Sequence, residues 1–160
     1  MFSVGIITVS DRGSRGQHED RSGPALKECC ARRGWNVGAT TMVPDEEELI
    51  QEKIGEFIQK ESCALVLLTG GTGVTERDVT PEAVRAIATK ELPGFGEVMR
   101  AKSFASFPNA ILSRAMAGVV GQSLVICLPG SPTGAVECLE FVADAIPHAI
   151  DLLKGVAHHG

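Results

Sequence analysis

Tyrosine is absent from this 160-residue chain, tryptophan occurs once, and aromatic residues make up only 4% of it. The 44% hydrophobic content is still ordinary for a globular protein, and the length suits one domain with a buried core. Positive charge is also scarce: 15 Lys and Arg against 20 Asp and Glu leave a net charge of −5. That balance argues against a nucleic-acid binder working by general phosphate neutralisation, though a local basic pocket for one small anion remains open. No C-x-x-C pair joins Cys29, Cys30, Cys63, Cys127 and Cys138, and most of them sit in apolar patterns. Buried reduced thiols and a cytoplasmic setting are expected. The opening Met1-Phe2-Ser3-Val4-Gly5-Ile6-Ile7 lacks the basic flank of a signal peptide, and no apolar run reaches membrane-spanning length. The expectation is a soluble domain over residues 1–155 with a frayed tail at 156–160.

Residues 2–9 are apolar and β-branched, which suits a strand buried on both faces. Beyond Ser10-Asp11-Arg12-Gly13 and a polar loop, Ser22 stands ready to cap a helix carrying Leu26, Cys29 and Cys30, with Gly34 as its stop. Residues 35–43 read as a second strand closed by Pro44. Asp45 and Glu48 then make a capping-box start for a helix whose Ile50, Ile54, Phe57 and Ile58 share a face. Residues 63–69 form a third strand and feed a glycine loop. Thr80-Pro81 opens another helix with Thr80 as its cap, Pro93-Gly94-Phe95-Gly96 interrupts it, and residues 97–107 resume helix. Residues 111–120 and 123–128 read as a hairpin about Gly121-Gln122. A long helix follows Pro132, and Pro147 predicts a kink or break in it.

Strands alternating with helices predict an α/β fold with a mostly parallel sheet covered on both faces. Ligands bind such sheets outside the carboxyl ends of the strands. Those ends carry Ser10 and Asp11, Asp45, residues 69–73, and residues 129–131. Four segments thus bring glycines, hydroxyls and acids to one rim.

The loop Thr69-Gly70-Gly71-Thr72-Gly73 lacks both common nucleotide signatures. A Walker loop ends in Gly-Lys-Ser/Thr, and no lysine lies between Lys60 and Lys90; the spacing also fails G-x-G-x-x-G. Two readings stand on composition alone: a phosphate cradle of bare N–H groups, or a tight turn that needs positive φ. Asp78 follows in a loop, too early to cap the next helix, and a carboxylate there suits a divalent cation between it and a phosphate. Asp45 explains itself equally as a helix cap, and Asp11 and Asp20 as acids that order turns. Arg21, Arg77 and Arg114 are candidate anion clamps, although solvated surface is the ordinary fate of any single arginine. His18 and His148 have no partner at metal-ligand spacing, so no zinc site is expected, and no nucleophile elbow occurs.

Taken together, several motifs carry a resemblance. Thr69-Gly70-Gly71-Thr72-Gly73, then Arg77-Asp78-Val79-Thr80-Pro81-Glu82, Pro93-Gly94-Phe95-Gly96-Glu97, Leu112-Ser113-Arg114 and Leu128-Pro129-Gly130-Ser131-Pro132 follow one another as in the MogA/MoaB family of molybdenum cofactor biosynthesis. Thr8-Val9-Ser10-Asp11 and Asp20-Arg21-Ser22-Gly23-Pro24 fit as well, so the resemblance covers nearly the whole chain. The stretches around Asp78 and Arg100 look more like the MogA branch, while the acid in Val74-Thr75-Glu76 is a departure.

The resemblance implies a three-layer α/β/α domain, a homotrimer (hexamers in the MoaB branch), and a molybdopterin adenylyltransferase using ATP and Mg²⁺. It implies hand-over of the product to a separate molybdenum-insertion enzyme, with no nucleic-acid or membrane partner. Carried over residue by residue, it gives Asp78 and Asp45 the catalytic and Mg²⁺-supporting roles. Thr69, Gly70, Gly71, Thr72 and Gly73 would cradle nucleotide phosphates, and Pro129, Gly130 and Ser131 would shape the nucleotide or pterin edge. Ser10, Asp11, Ser103, Ser113 and Arg114 become contacts for molybdopterin and its phosphate. The same domain also serves as a pterin-binding module inside larger enzymes, which makes binding without transfer the rival. An unrelated nucleotide- or sugar-phosphate-binding α/β protein is the third reading.

Overall fold

The strand that feeds the glycine loop, β3 (Cys63–Thr69), is buried at every position and lies between strands on both sides. The computed structural model describes residues 2–156. It contains β1 (Ser3–Val9), α1 (Asp11–Ser14), α2 (Ser22–Arg32), β2 (Asn36–Val43), α3 (Glu47–Gln59), β3, α4 (Thr80–Ile87) and β4 (Lys90–Glu91). There follow α5 (Pro93–Phe104), a 3₁₀ turn (Pro108–Leu112), β5 (Met116–Val120), β6 (Ser123–Leu128), α6 (Pro132–Val142), a second 3₁₀ turn (Ala143–Ala145) and α7 (Ile146–Leu153). The six strands lie in the order β2-β1-β3-β6-β5-β4. Pairings β2–β1, β1–β3 and β3–β6 are parallel; β6–β5 and β5–β4 are antiparallel.

Side chains alternate across the sheet, and each face has its own core. Leu65 and Leu67 of β3 join Leu26, Met99 and Leu139 on one side; Val66 and Leu68 join Ile50, Ile54, Ala83 and Val84 on the other. Helices therefore cover both faces, as the strand–helix alternation predicts. All five cysteines are buried free thiols, and burial pushes the Cys127 thiol up to about 12.

Local departures have local causes. Ser22 lies inside α2 rather than capping it: its hydroxyl donates to the Gly130 carbonyl at 2.5 Å, while Asp20 Oδ1 accepts from Gly23 N–H at 3.0 Å. Asp45 does not cap α3, which begins after Glu46, because Asp45 Oδ2 is turned to the Asp11 N–H at 2.9 Å. Thr80 likewise lies within α4, its hydroxyl turned back to the Gly70 carbonyl at 2.8 Å. Pro93-Gly94-Phe95-Gly96 starts α5 instead of interrupting a helix, since Pro is pre-set for a first turn. The strand expected from residue 111 begins at Met116, behind the 3₁₀ turn that Pro108 opens. Beside it the two-residue edge strand β4 has no hydrophobic signal, being Lys90-Glu91. The break predicted at Pro147 is real: α6 ends at Val142 and Pro147 sits in the first turn of α7. Apart from Val156, the tail expected to fray lies outside the described residues.

Candidate active site

The glycine loop leaves β3 with Gly70 at φ +106° and Gly71 at φ +70°, a backbone that side chains disfavour. Space forbids them too, since a Cβ on Gly70 would strike the Val9 carbonyl and one on Gly71 the Thr80 hydroxyl. The tight-turn reading therefore holds at Gly70 and Gly71. Each carbonyl of the loop is held by a protein donor. Gly70 O accepts from Thr80 Oγ1 at 2.8 Å and Gly71 O from Thr80 N–H at 3.1 Å. Thr72 O accepts from Arg114 N–H at 2.9 Å and Gly73 O from Arg114 Nε at 2.8 Å. Among the described residues, no acceptor takes the N–H of Gly71, Thr72 or Gly73. With its carbonyls tied back, the loop turns an amide nest of free N–H donors outward, an arrangement open to an acceptor such as an anion.

Two adjoining clefts open at this loop, with cavity volumes of about 560 and 500 Å³, and Gly71, Asp78 and Gly130 belong to both. The first lies over the ends of β1 and β2 and is lined by Ser10, Asp11, Asp20 and Asp45 together with Arg12 and Arg21. Two of its acids are tied to each other. Asp11 N–H donates to Asp45 Oδ2 and Asp45 N–H to Asp11 Oδ1, both at 2.9 Å. Arg77 grips both oxygens of Asp11 through Nε and Nη2 at 2.9 Å. That guanidinium holds the Asp11 carboxyl below its usual range. Burial, with Asp11 and Asp78 nearby, holds Asp45 above it. Neighbouring carboxylates pushed in opposite directions commonly mark a functional site.

The second cleft runs over α5 and the start of α6. Met99, Phe107, Ala110, Leu112 and Cys138 give it an apolar lining, set with Ser103, Ser113 and Ser131. Ser103 Oγ lies 3.5 Å from Cys138 Sγ, and Ser131 caps α6 by accepting from Gly134 N–H at 3.1 Å. Ser113 Oγ accepts from Ala115 N–H at 3.2 Å.

The residues singled out from sequence thus divide. Ser10, Asp11 and Asp45 face the first cleft, and Ser103, Ser113, Pro129 and Ser131 the second, with Asp78 and Gly130 between. Arg114 lines neither: its guanidinium is engaged by Gly73 O, Asp78 O and the Glu82 carboxylate. Ser10 is a helix cap, its Oγ accepting from Gly13 N–H at 3.0 Å. Sequence reasoning passed over Arg100, which reaches into the second cleft and donates to Ala115 O at 2.6 Å. Its only signal was membership of the Phe95-Gly96-Glu97-Val98-Met99-Arg100 stretch. Met99 and Phe107, read simply as helix residues, carried no signal as cleft lining.

The donor set also fits a magnesium ion. Asp78 Oδ2 is occupied by Thr75, accepting from N–H at 2.9 Å and Oγ1 at 2.7 Å. Among the described residues its Oδ1, and Oδ1 of Asp45, receive no hydrogen bond. Two carboxylate oxygens without donors, beside amides that suit phosphate, match the one or two protein ligands that Mg²⁺ takes when substrate phosphates and water complete its shell.

An α/β domain with a glycine loop between two clefts, one charged and one apolar, has the architecture of a small-molecule site. The chain belongs to the family described as the probable molybdopterin binding domain, whose model matches residues 5–148. It is 44% identical over 154 residues to a molybdopterin adenylyltransferase of Helicobacter pylori, covering 95% of this chain and 88% of that protein. The Escherichia coli protein of the same name is 40% identical over 172 residues, with 95% and 85% covered. Among solved structures, the molybdopterin biosynthesis enzyme MoaB of Thermus thermophilus superposes with a TM-score of 0.91 at 44% identity, covering 97% and 98% of the two chains. The tungsten cofactor synthesizing protein MoaB of Pyrococcus furiosus gives 0.87 at 37% identity and 98% of each.

Proposed function

We propose that the chain is a molybdopterin adenylyltransferase acting in molybdenum cofactor biosynthesis. An oxygen of the terminal phosphate of molybdopterin attacks the α-phosphorus of ATP, the new P–O bond forms, the bond to the β-phosphate oxygen breaks, and pyrophosphate leaves. The observation that carries this reading is the place of Asp78, on the border of two clefts and beside an amide nest. Transfer between phosphates asks a protein for positioning and charge neutralisation more than for covalent help.

In this reading the amides of Gly71, Thr72 and Gly73 hold nucleotide phosphate oxygens in line. Asp78 and Asp45 hold Mg²⁺, which supplies charge neutralisation for the phosphates when bound. The Arg77–Asp11 pair ties the loop to the end of β1 and keeps Asp11 ionised. The second cleft, apolar with serine hydroxyls, offers a flat heteroaromatic ring a dry wall and polar edges.

Residues 1–155 are taken as one domain, working in the cytoplasm as a homotrimer that passes adenylyl-molybdopterin to a molybdenum-insertion enzyme. Support for association comes from the exposed Phe104, Phe107, Ile111 and Leu112, which cluster in sequence at the end of α5 and the 3₁₀ turn. Among the described residues no helix is long and apolar enough to cross a membrane. The test is to mix purified protein with molybdopterin, ATP and Mg²⁺ and identify the product by mass. Adenylyl-molybdopterin with one pyrophosphate per turnover is expected; bound but unmodified molybdopterin would establish the binding-module alternative.

A further inference from the structure

The loop has two anchors, and they hold different halves of it. A planar trans peptide points the carbonyl of one residue and the N–H of the next in opposite directions. Thr80 pins the carbonyls of Gly70 and Gly71 and so aims the amides of Gly71 and Thr72. Arg114 pins the Thr72 carbonyl through its backbone N–H and the Gly73 carbonyl through the Nε of its guanidinium, and so aims the amides of Gly73 and Val74. The same guanidinium donates from Nη2 to Asp78 O at 2.6 Å, which fixes the backbone that carries the shared acid.

Arg114 is itself held. Glu82 pairs with its Nη1, and Arg114 keeps the Glu82 carboxyl below its usual range. Arg100 donates from Nη1 to Ser113 O at 3.4 Å and Ala115 O at 2.6 Å, bracketing Arg114 on either side in the chain. Arginine suits this place because its rigid fork offers several donors in fixed directions, whereas a lysine ammonium is a single point.

We infer that Arg114 is a positioning residue, which sets the downstream half of the phosphate-binding loop together with Asp78 and acts through their backbone instead of touching a substrate. The inference rests on the adenylyl-transfer reading for its kinetic consequence, but not for its structural one. It also gives the loop a division of labour: Thr80 is local, ten residues from Gly70, whereas Arg114 reaches Asp78 from 36 residues away and couples the loop to the wall of the second cleft.

The test uses ¹⁵N-labelled full-length protein titrated with inorganic pyrophosphate. In the wild type the amides of Gly71, Thr72, Gly73 and Val74 are expected to shift. In Arg114→Lys the amide of Val74 should lose most of its response while Gly71, Thr72 and Gly73 keep theirs, because the Thr72 carbonyl is held by the backbone N–H of residue 114, which lysine retains. In the adenylylation assay kcat should fall about tenfold to a hundredfold, with both KM values within about threefold of wild type. Uniform loss over the four amides, an unchanged pattern, or a raised KM for molybdopterin with kcat preserved would each overturn the inference. If Arg114→Lys fails to fold, Glu82→Gln keeps the guanidinium but removes the carboxylate that orients it; the same selective loss, weaker, is expected. Wild-type amides indifferent to pyrophosphate overturn the anion nest and Arg114's role together. Amides that respond in a protein without turnover remove the transfer reading and leave Arg114's role to be read from the amides.

Discussion

The two clefts share Gly71, Asp78 and Gly130, yet they are built of opposite materials. Cleft one is lined by acids and arginines from strand ends and loops; its Asp11 and Asp45 are joined across 34 residues of chain, and Arg77, outside the lining, holds Asp11 from 66 residues away. Cleft two draws its lining from α5, the 3₁₀ turn, the start of α6 and the loops between, and its apolar Met99 and Cys138 belong to the core as well. A charged cleft can orient phosphates and a cation; an apolar one can hold a ring system dry. Their difference directs the proposed chemistry to the common wall, because Asp78 and the amide of Gly71 border both clefts. If so, damage should be greatest at the wall and should change character on moving into either cleft.

The largest effect is expected at Asp78 itself. Asp78→Asn should lower kcat by roughly a thousandfold while molybdopterin affinity, measured by fluorescence titration, stays near wild type. Thr75 N–H can still donate to the amide oxygen, so folding should survive. A fully active variant would remove Asp78 from the mechanism. Next comes Gly73→Ala. A Cβ there would sit 2.8 Å from Asp78 Oδ2, so the carboxylate must move although Gly73, unlike Gly70 and Gly71, has a φ that permits alanine. A displacement of that kind should cost about a hundredfold in kcat. Equal activity in single-turnover assays would mean that Asp78 has slack the geometry does not suggest.

A smaller and more diagnostic effect is expected inside cleft one, at Asp45. Burial, then the nearby Asp11 and Asp78 charges, raise its pKa above 3.8. The native state therefore binds this proton more tightly than the unfolded chain. That contribution to stability is full below 3.8 and is lost as pH rises through the raised native value. At neutral pH the ionised group is a cost, which Asp45→Asn relieves while its oxygen can still accept from Asp11 N–H. The variant should lose about tenfold in kcat, yet gain roughly 1–2 °C in Tm at pH 7 after allowance for solvent screening. The gain should vanish below pH 3.8. Asp11 behaves in the opposite sense: Arg77 lowers its pKa, so its contribution is present above 3.8 and lost as pH falls through the lowered native value. A Tm gain for Asp45→Asn that persists in acid would show that the cost of Asp45 is not its charge.

The same comparison explains what could be read from the chain. The sheet, its covered faces and the rim were legible because β1, β3 and β6 are near-continuous apolar runs ending in glycine, proline and hydroxyl residues. What escaped was the direction of side chains. Asp45, Thr80 and Ser22 each stand where a helix cap belongs, and in each case a distant segment offers a better partner: Asp11, Gly70 and Gly130. Local propensity is worth about 1 kcal/mol at such a position, and a rim that gathers several chain segments can outbid it. The wall of cleft two escaped for another reason. Met99, Arg100 and Cys138 lie on helices, where an inward apolar residue reads as core whether it meets another side chain or an open cleft.

The smallest effects separate two serines that the sequence placed together as pterin contacts. Ser10 accepts from Gly13 N–H and caps α1, so Ser10→Ala should cost about 1 kcal/mol of stability, seen as a lower urea midpoint. Ser103 lines cleft two and, among the described residues, its hydroxyl has only the Cys138 thiol as partner, at 3.5 Å, a weak one that a substrate group can replace. Ser103→Ala should therefore leave the urea midpoint unchanged and raise KM for molybdopterin about fivefold, the worth of one ordinary hydrogen bond. KM for ATP and kcat should not move, since the hydroxyl faces the apolar cleft and lies away from the shared wall. If ATP affinity falls with molybdopterin affinity, the two clefts are one continuous site, and the division drawn at Asp78 is a feature of shape without a counterpart in binding.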